Sequence, residues 1–169
     1  MNAVASKGHN MTILSPDIEK NQPSNIHYIH LENVYAHMYN GSEALDLNSL
    51  VDEGILEGIK TFYKFSIYAC EPILKSEGIK TLLNYPRNFK FDAIIYDFTC
   101  GACLLPFMHY FGYPPLISIT AFSNPPYTTQ IIGGHKQYAY IPFYTLNYDV
   151  DMNLYQRMKN SFIYILDDV

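Results

Sequence analysis

Residues 91–98, FDAIIYDF, are the stretch that decides the fold of this 169-residue chain. Their apolar side chains are nearly continuous, as is typical of a parallel strand covered on both faces, and the run ends at Asp97. Three further runs predict strands: MTILSP at residues 11–16, IHYIHLE at residues 26–32 and PPLISITAF at residues 114–122. The chain therefore has at least four predicted strands.

Segments with helical periodicity lie between and after these strands. From about residue 44 to 83, apolar side chains recur at helical spacing, and Pro72 predicts a kink or a restart there. Residues 100–112 predict a turn and a short helix, and residues 152–169 have a helical period again. The Pro-, Gly- and Tyr-rich residues 123–151 predict an irregular wall or lid. Alternation of strands and helices predicts a doubly wound α/β fold with parallel strands.

Composition restricts the class of protein. With 49% hydrophobic and 16% charged residues, the chain is expected to fold as one globular domain. A net charge of -5 without a basic cluster argues against binding to nucleic acid or an anionic membrane. No stretch has the roughly 20 apolar residues that a membrane-spanning helix needs. Two glycosylation sequons, Asn10-Met-Thr and Asn40-Gly-Ser, would matter only in a secretory lumen.

Asp97 is the first candidate for chemistry. Ligands of doubly wound sheets bind beyond the carboxyl ends of the strands, which is where this carboxylate is expected. A carboxylate at that place also has an ordinary structural use, because it can accept hydrogen bonds from the backbone of the following helix. Position alone leaves both roles open.

The three cysteines offer a second chemistry. Cys100-Gly-Ala-Cys103 is predicted at a helix start, where a thiol pKa would be lowered, as in a redox-active pair. A thioredoxin-like assignment is disfavoured because several strand-helix units precede the motif and the chain has no Trp. Cys70 falls in an apolar helical stripe and is interpreted as core packing. Three cysteines cannot all pair within one chain, so their number leaves the compartment open.

Metal and phosphate sites have little support. His27 and His30 have an odd spacing on a predicted strand, which places them on opposite sides and argues against a two-His metal site. No second Cys/His pair completes a set of four ligands. The sequence GGHK at residues 133–136 matches no phosphate-binding motif, and His135 is interpreted as a loop histidine.

The order of several segments nevertheless resembles a known family, the UDP-glycosyltransferases of the glucuronosyl/glucosyl type. The resemblance is to their N-terminal, acceptor-binding half, and DFTCG and GGHKQYAYIP are most similar to insect members. The segments that carry it are GHNMTILSP (8–16), NIHYIHLE (25–32), FDAIIYDFTCGACLL (91–105), PPLISITAFSNPPYTT (114–129) and GGHKQYAYIP (133–142).

This resemblance implies a fold and a mechanism. The family has two Rossmann-like lobes in the GT-B arrangement, one for a lipophilic acceptor and one for the UDP-sugar co-substrate, with no metal and no other cofactor. A histidine deprotonates the acceptor hydroxyl, which attacks the anomeric carbon with inversion, and an aspartate matching Asp97 orients that histidine. The expected acceptor-site residues are Phe98, Thr99, Cys100, Phe122 and Asn124.

The chain also departs from the family pattern. His9 follows the family's first helix and does not match the catalytic histidine, so residues 1–169 are expected to be a partial N-terminal domain without the first strand, the base or the donor lobe. The strands at 11–16 and 91–98 would then be either unpaired or in direct contact, and the chain poorly stable and aggregation-prone. The family resides at the endoplasmic reticulum, whereas a chain translated from Met1 without a signal peptide would be cytosolic.

Three functions follow from these residues. The first is a UDP-glycosyltransferase fragment that is inactive alone. The second is a non-catalytic module that binds lipophilic molecules or dimerises with a full-length transferase, for which 16 Tyr and 10 Phe would supply an aromatic surface. The third is a thiol oxidoreductase that uses Cys100 and Cys103.

Overall fold

The chain divides into two compact units, which are described separately. A computed structural model describes residues 1–39, 54–121 and 126–168, with the backbone alone at residues 100, 126 and 127. The first unit consists of Met1–Leu45, Phe65–Asp92 and Ala102–Pro114; the second consists of Asp46–Lys64, Ala93–Gly101 and Pro115–Val169.

The first unit is built on two parallel strands, β1 and β2. Met11 lies opposite Ile26, and Ser15 lies opposite His30. Helix α4 packs against β2 so closely that a Cβ atom at Gly78 would lie 2.2 Å from the His30 carbonyl oxygen. The elements are α1 (Asn2–Ala5), β1 (Met11–Ser15), β2 (Ile26–His30), α2 (Val34–Tyr39), the later part of α3 (Ile55–Lys75), α4 (Glu77–Leu83) and α5 (Pro106–Tyr110). The core contains Ile29, Leu82 and Phe111, surrounded by Leu14, Tyr85, Phe91, Phe107 and Tyr110.

The second unit holds the other parallel pair, in which Ile94 lies opposite Leu116 and Asp97 opposite Ile119. Its elements are the beginning of α3, β3 (Ile94–Asp97), a 3-10 helix (Phe98–Cys100), β4 (Leu116–Ile119), α6 (Pro126–Ile131) and α7 (Leu154–Asp167). Its core contains Phe143, Leu146, Ile163 and Tyr164, with Ile55, Ile59, Tyr144 and Tyr148 packed against it.

The four predicted strands are confirmed as two small parallel sheets in an α/β protein. The prediction that β3 is covered on both faces is wrong, and β4 beside it is also open on one face. Ile95, Ile117 and Ile119 are all more than one-third exposed, and Ile117 reaches 51%. Within the described residues β1 pairs with β2 and β3 with β4, so each strand has one neighbour and one open edge.

The long helix predicted over residues 44–83 restarts near Pro72, as predicted, although the proline itself is not the point of interruption. Pro72 lies inside α3, which continues to Lys75. The interruption falls at Ser76, whose extended backbone and side-chain acceptor for the Ile79 amide begin α4. The first part of the prediction, residues 44–53, lies outside the described residues.

The stretch predicted to lack regular elements contains α6, so that part of the prediction is wrong. The helix ends at the Gly-Gly pair: the amide of Gly134 donates to the Thr129 carbonyl at 2.8 Å. Gly133 has φ of 81°, the left-handed conformation that commonly terminates helices.

Candidate functional site

Asp97 is the last residue of β3, and its side chain is exposed. Its Oδ1 atom accepts a hydrogen bond from the Thr99 amide at 2.9 Å and so caps the 3-10 helix. No other hydrogen bond to this carboxylate comes from the described part of the chain. Asp97 therefore has the structural role of a cap. The cap uses its Oδ1 atom, and Oδ2 can accept a hydrogen bond from another donor.

The turn beyond Asp97 is fixed by its neighbours. The Tyr96 hydroxyl donates to the Gly101 carbonyl at 2.9 Å, which spans the 3-10 helix. Phe98 is completely buried, and its ring contacts that of Tyr96 edge-on with centroids 4.6 Å apart. Gly101 has φ of 93°, which favours glycine at this position. These contacts hold Asp97 at a defined place at the strand end.

Thr99 links this turn to the end of β4. Its Oγ1 atom accepts a hydrogen bond from the Ala121 amide at 3.2 Å. The carboxyl ends of the two parallel strands are thus joined at the edge where ligands of such sheets bind.

The remaining residues predicted for the acceptor site are less informative. Phe98 has no exposed surface and supports the turn from inside. Phe122 and Asn124 lie outside the described residues, as does the side chain of Cys100. A role of these residues in acceptor binding stays a prediction.

The cysteines pair differently from the sequence-based interpretation. Cys70 in α3 forms a disulfide with Cys103, with Cα atoms 5.8 Å apart and a sequence separation of 33. The interpretation of Cys70 as a simple core residue is wrong, because an apolar helical stripe looks the same for a thiol and for a half-cystine. The Cys100–Cys103 redox pair is also disfavoured, since Cys103 already has a distant partner.

A second polar cluster joins the GGHK sequence to the end of α7. The Lys136 ammonium group contacts the Asp168 carboxylate and lies 3.8 Å from that of Asp167, with only 3% of its side chain exposed. Burial raises the pKa of Asp167, although Tyr63 and Lys136 act in the opposite direction. Burial, together with the negative charge of Asp167, raises the pKa of Tyr63 to about 12. This lysine therefore serves an internal ion pair.

Two open grooves lie on helix surfaces, one in each unit. One of about 490 Å³ runs along α3 beside Ile67, Cys70 and Leu74. The other, of about 350 Å³, lies along α7 beside Met158 and Phe162. Each has a volume in the range of small-molecule sites, but an exposed helix face lacks the enclosure that such sites provide.

Other kinds of site find no support in the described ranges. No group of three or more His, Cys, Asp or Glu side chains there could hold a metal ion. His27 and His30 are both exposed, and His30 Nε2 lies 3.1 Å from the Pro16 carbonyl oxygen. Among residues 1–39, 54–121 and 126–168, every helix is too short or too polar to cross a bilayer.

The fold and the carboxylate of Asp97 define an α/β protein with a candidate ligand-binding edge. A comparison with known proteins finds one relative with a partial match. The chain is 24% identical over 161 residues to UDP-glucosyltransferase 2 of Dactylopius coccus. The match covers 95% of this chain and 30% of that relative, so the chain spans about a third of the relative's length. No family model and no solved structure matches. This partial match supports the resemblance to a UDP-glycosyltransferase fragment.

Three structural residues were not predicted from the sequence. The Asn160 side chain is fully buried and binds three backbone groups on the loop before α7. The partnership of Cys70 with Cys103 and the ion pair of Lys136 also depend on tertiary contacts.

Proposed function

We propose that this chain is the acceptor-binding portion of an inverting UDP-glycosyltransferase that transfers a sugar from a UDP-sugar to the hydroxyl of a small lipophilic acceptor. The observation that carries the proposal is the match to UDP-glucosyltransferase 2, which extends over 95% of the chain. The exposed carboxylate of Asp97, at the end of β3, is the group that we assign to the reaction.

In the proposed mechanism Asp97 is a positioning residue. A neutral histidine must present one nitrogen to the acceptor hydroxyl, and a carboxylate at its other nitrogen fixes the tautomer and stabilises the imidazolium that forms. Oδ1 of Asp97 is held by the Thr99 amide, so Oδ2 is the atom assigned to the histidine. The activated hydroxyl attacks the anomeric carbon, and UDP departs with inversion.

His9 follows the family's first helix and so does not match the family's base. We therefore expect that these residues alone do not form glycoside. Incubation of the purified chain with UDP-glucose and a phenol, followed by chromatography, tests this expectation. Glycoside formation by the chain alone would contradict it.

The role of Asp97 needs a chimera. The matched part of UDP-glucosyltransferase 2 would be replaced by this chain, with the rest of the relative retained. Asp97→Asn keeps an oxygen to accept from Thr99 but removes the charge. We expect kcat to fall at least about 100-fold, with KM for UDP-glucose unchanged.

Asp92→Asn is the matched control for this experiment. Asp92 is an exposed aspartate just ahead of β3, at the opposite end of the strand from Asp97. Its substitution should leave kcat unchanged. An active chimera in which Asp97→Asn behaves like Asp92→Asn would refute the assignment of Asp97. An inactive chimera that binds phenols saturably would favour the non-catalytic, lipophile-binding alternative.

A further inference from the structure

The sequon Asn10-Met11-Thr12 lies at a surface position between α1 and β1. Asn10 is exposed and precedes the first residue of β1. Its side chain makes no hydrogen bond within the described part of the chain. Asparagine followed by any residue except proline and then by Ser or Thr is the acceptor sequence for N-linked glycosylation, which needs an accessible side chain.

The backbone around Asn10 is fixed even though its side chain is not. The Asn25 side-chain amide donates to the carbonyls of Ala5 and His9, both at 2.8 Å. The amide of Met11 in turn donates to the Asn25 carbonyl at 2.9 Å. Asn10 is therefore an exposed residue in a loop whose backbone is held by hydrogen bonds on both sides.

An independent observation concerns the compartment. The disulfide between Cys70 and Cys103 belongs to proteins that mature in an oxidising environment, because cytosolic thiols are kept reduced. Asparagine-linked glycosylation takes place in the same secretory compartment. The disulfide thus indicates the compartment in which the sequon can be glycosylated. It also argues against the cytosolic location expected for a chain translated from Met1.

We propose that Asn10 carries an N-linked glycan acquired in the secretory lumen. In the transfer, Nδ2 of Asn10 loses one proton and forms a bond with the anomeric carbon of an oligosaccharide. The bond between that carbon and its lipid pyrophosphate carrier breaks, and the carrier leaves with the bonding electrons. Thr12 supplies the hydroxyl that the acceptor sequence requires. The inference does not depend on the proposed glycosyltransferase activity.

The first test uses the protein from the cells that make it. Digestion with peptide N-glycosidase in ¹⁸O-labelled water converts a glycosylated asparagine into labelled aspartate. We expect the label at position 10 and, after denaturation without reductant, one free thiol among the three cysteines. An unmodified Asn10 or three free thiols would overturn the proposal.

The second test identifies the acceptor residue. The chain would be expressed in insect cells behind a cleavable secretory leader, in an Asn40→Gln background that removes the second sequon. Enzymatic deglycosylation should then increase the electrophoretic mobility of the protein by one step. Asn10→Gln and Thr12→Ala should each abolish that step, whereas the matched variant Thr12→Ser should keep it. Since glycan transfer precedes folding, occupancy is measured on total intracellular protein whether or not a variant folds. Absence of the step in the Asn40→Gln background would refute the assignment.

Discussion

The side-chain oxygen of Asn160 accepts a hydrogen bond from the backbone amide of Phe143 at 2.7 Å, and both residues are completely buried. The Asn160 amide group also donates to the carbonyls of Tyr138 and Ile141, at 2.7 and 2.8 Å. One side chain thus satisfies three backbone groups of the loop that precedes α7. This loop has few regular hydrogen bonds of its own, so its conformation depends on Asn160.

Asn160→Leu should therefore be strongly destabilising. It leaves the buried Phe143 amide without its acceptor, at a cost of about 1–3 kcal/mol, and removes two partly buried hydrogen bonds worth about 1 kcal/mol each, so we expect a loss of roughly 3–5 kcal/mol. Asn153→Ala on the same helix is the control. It removes a capping box at the exposed N-terminus of α7 and should cost about 1 kcal/mol. Urea denaturation would measure both; equal losses would contradict the role of Asn160.

Two glycine substitutions should have opposite effects. A Cβ atom at Gly78 would lie 2.2 Å from the His30 carbonyl oxygen, so Gly78→Ala must displace α4 from β2 at a cost of about 1–3 kcal/mol. At Gly58, inside α3, an added Cβ atom would lie 3.7 Å from Thr145 Cγ2, an ordinary contact. Gly58→Ala should stabilise by about 0.5–1 kcal/mol. Thermal unfolding of both variants would test this, and stabilisation by Gly78→Ala would disprove the close packing.

Loss of the disulfide should destabilise the chain. A bond that closes a loop of this size restricts the unfolded state, so Cys70→Ser should lower the free energy of unfolding by about 2–4 kcal/mol. Cys100→Ser is the control, because it leaves the Cys70–Cys103 bond intact. Denaturation with and without reductant separates the two variants. A wild-type chain whose stability is insensitive to reductant would contradict the prediction.

Tyr63 should control the alkaline limit of stability. Its pKa rises from 10 to about 12 on folding, chiefly through burial and then through the charge of Asp167. The stabilisation is complete below pH 10 and is lost as the pH rises from 10 to about 12. Tyr63→Phe should remove this contribution, while the raised pKa of Tyr164 leaves a remaining dependence on alkaline pH. Asp167→Asn should lower the pKa of Tyr63, as measured by ultraviolet titration against the Tyr63→Phe chain.

The exposed face of the β3–β4 sheet should promote association. Within the described ranges this sheet has two strands, an exposed apolar face and one open edge on each strand, and such a sheet is marginally stable and prone to pairing with other chains. Ile117→Lys should raise the concentration at which light scattering begins, with little effect on unfolding because Ile117 is already half exposed. A soluble wild-type monomer that unfolds cooperatively would refute the expected aggregation.

The elements of the fold were largely predictable, and their surroundings were not. Local patterns identified β1 to β4 because continuous apolar runs between turns have few other interpretations. The same apolar runs could not reveal that Ile117 would be exposed, since exposure depends on which other elements cover the sheet. Likewise, Gly133 is a residue type that commonly ends helices. The prolines of the same stretch nevertheless favoured an irregular segment, so α6 was not predicted.

The candidate site was predictable in position but not in contacts. The end of an apolar strand identified Asp97, and both of its suggested roles arose from that position alone. The bond from the Thr99 amide is local and could be anticipated, whereas the link from Thr99 to Ala121 joins residues 22 positions apart. The pairing of Cys70 with Cys103 likewise could not be predicted, because the sequence does not show that α3 lies beside the turn that contains Cys103.

The bond between Cys70 and Cys103 has a topological consequence. It closes a covalent ring that contains α4, β3 and Asp97. A protease that cuts any single peptide bond between residues 71 and 102 therefore opens the ring without dividing the molecule. Such a nicked protein would migrate as one species without reductant and as two fragments with reductant. Because the disulfide holds the two fragments together, the strand that bears Asp97 stays attached to the molecule even after cleavage beside it.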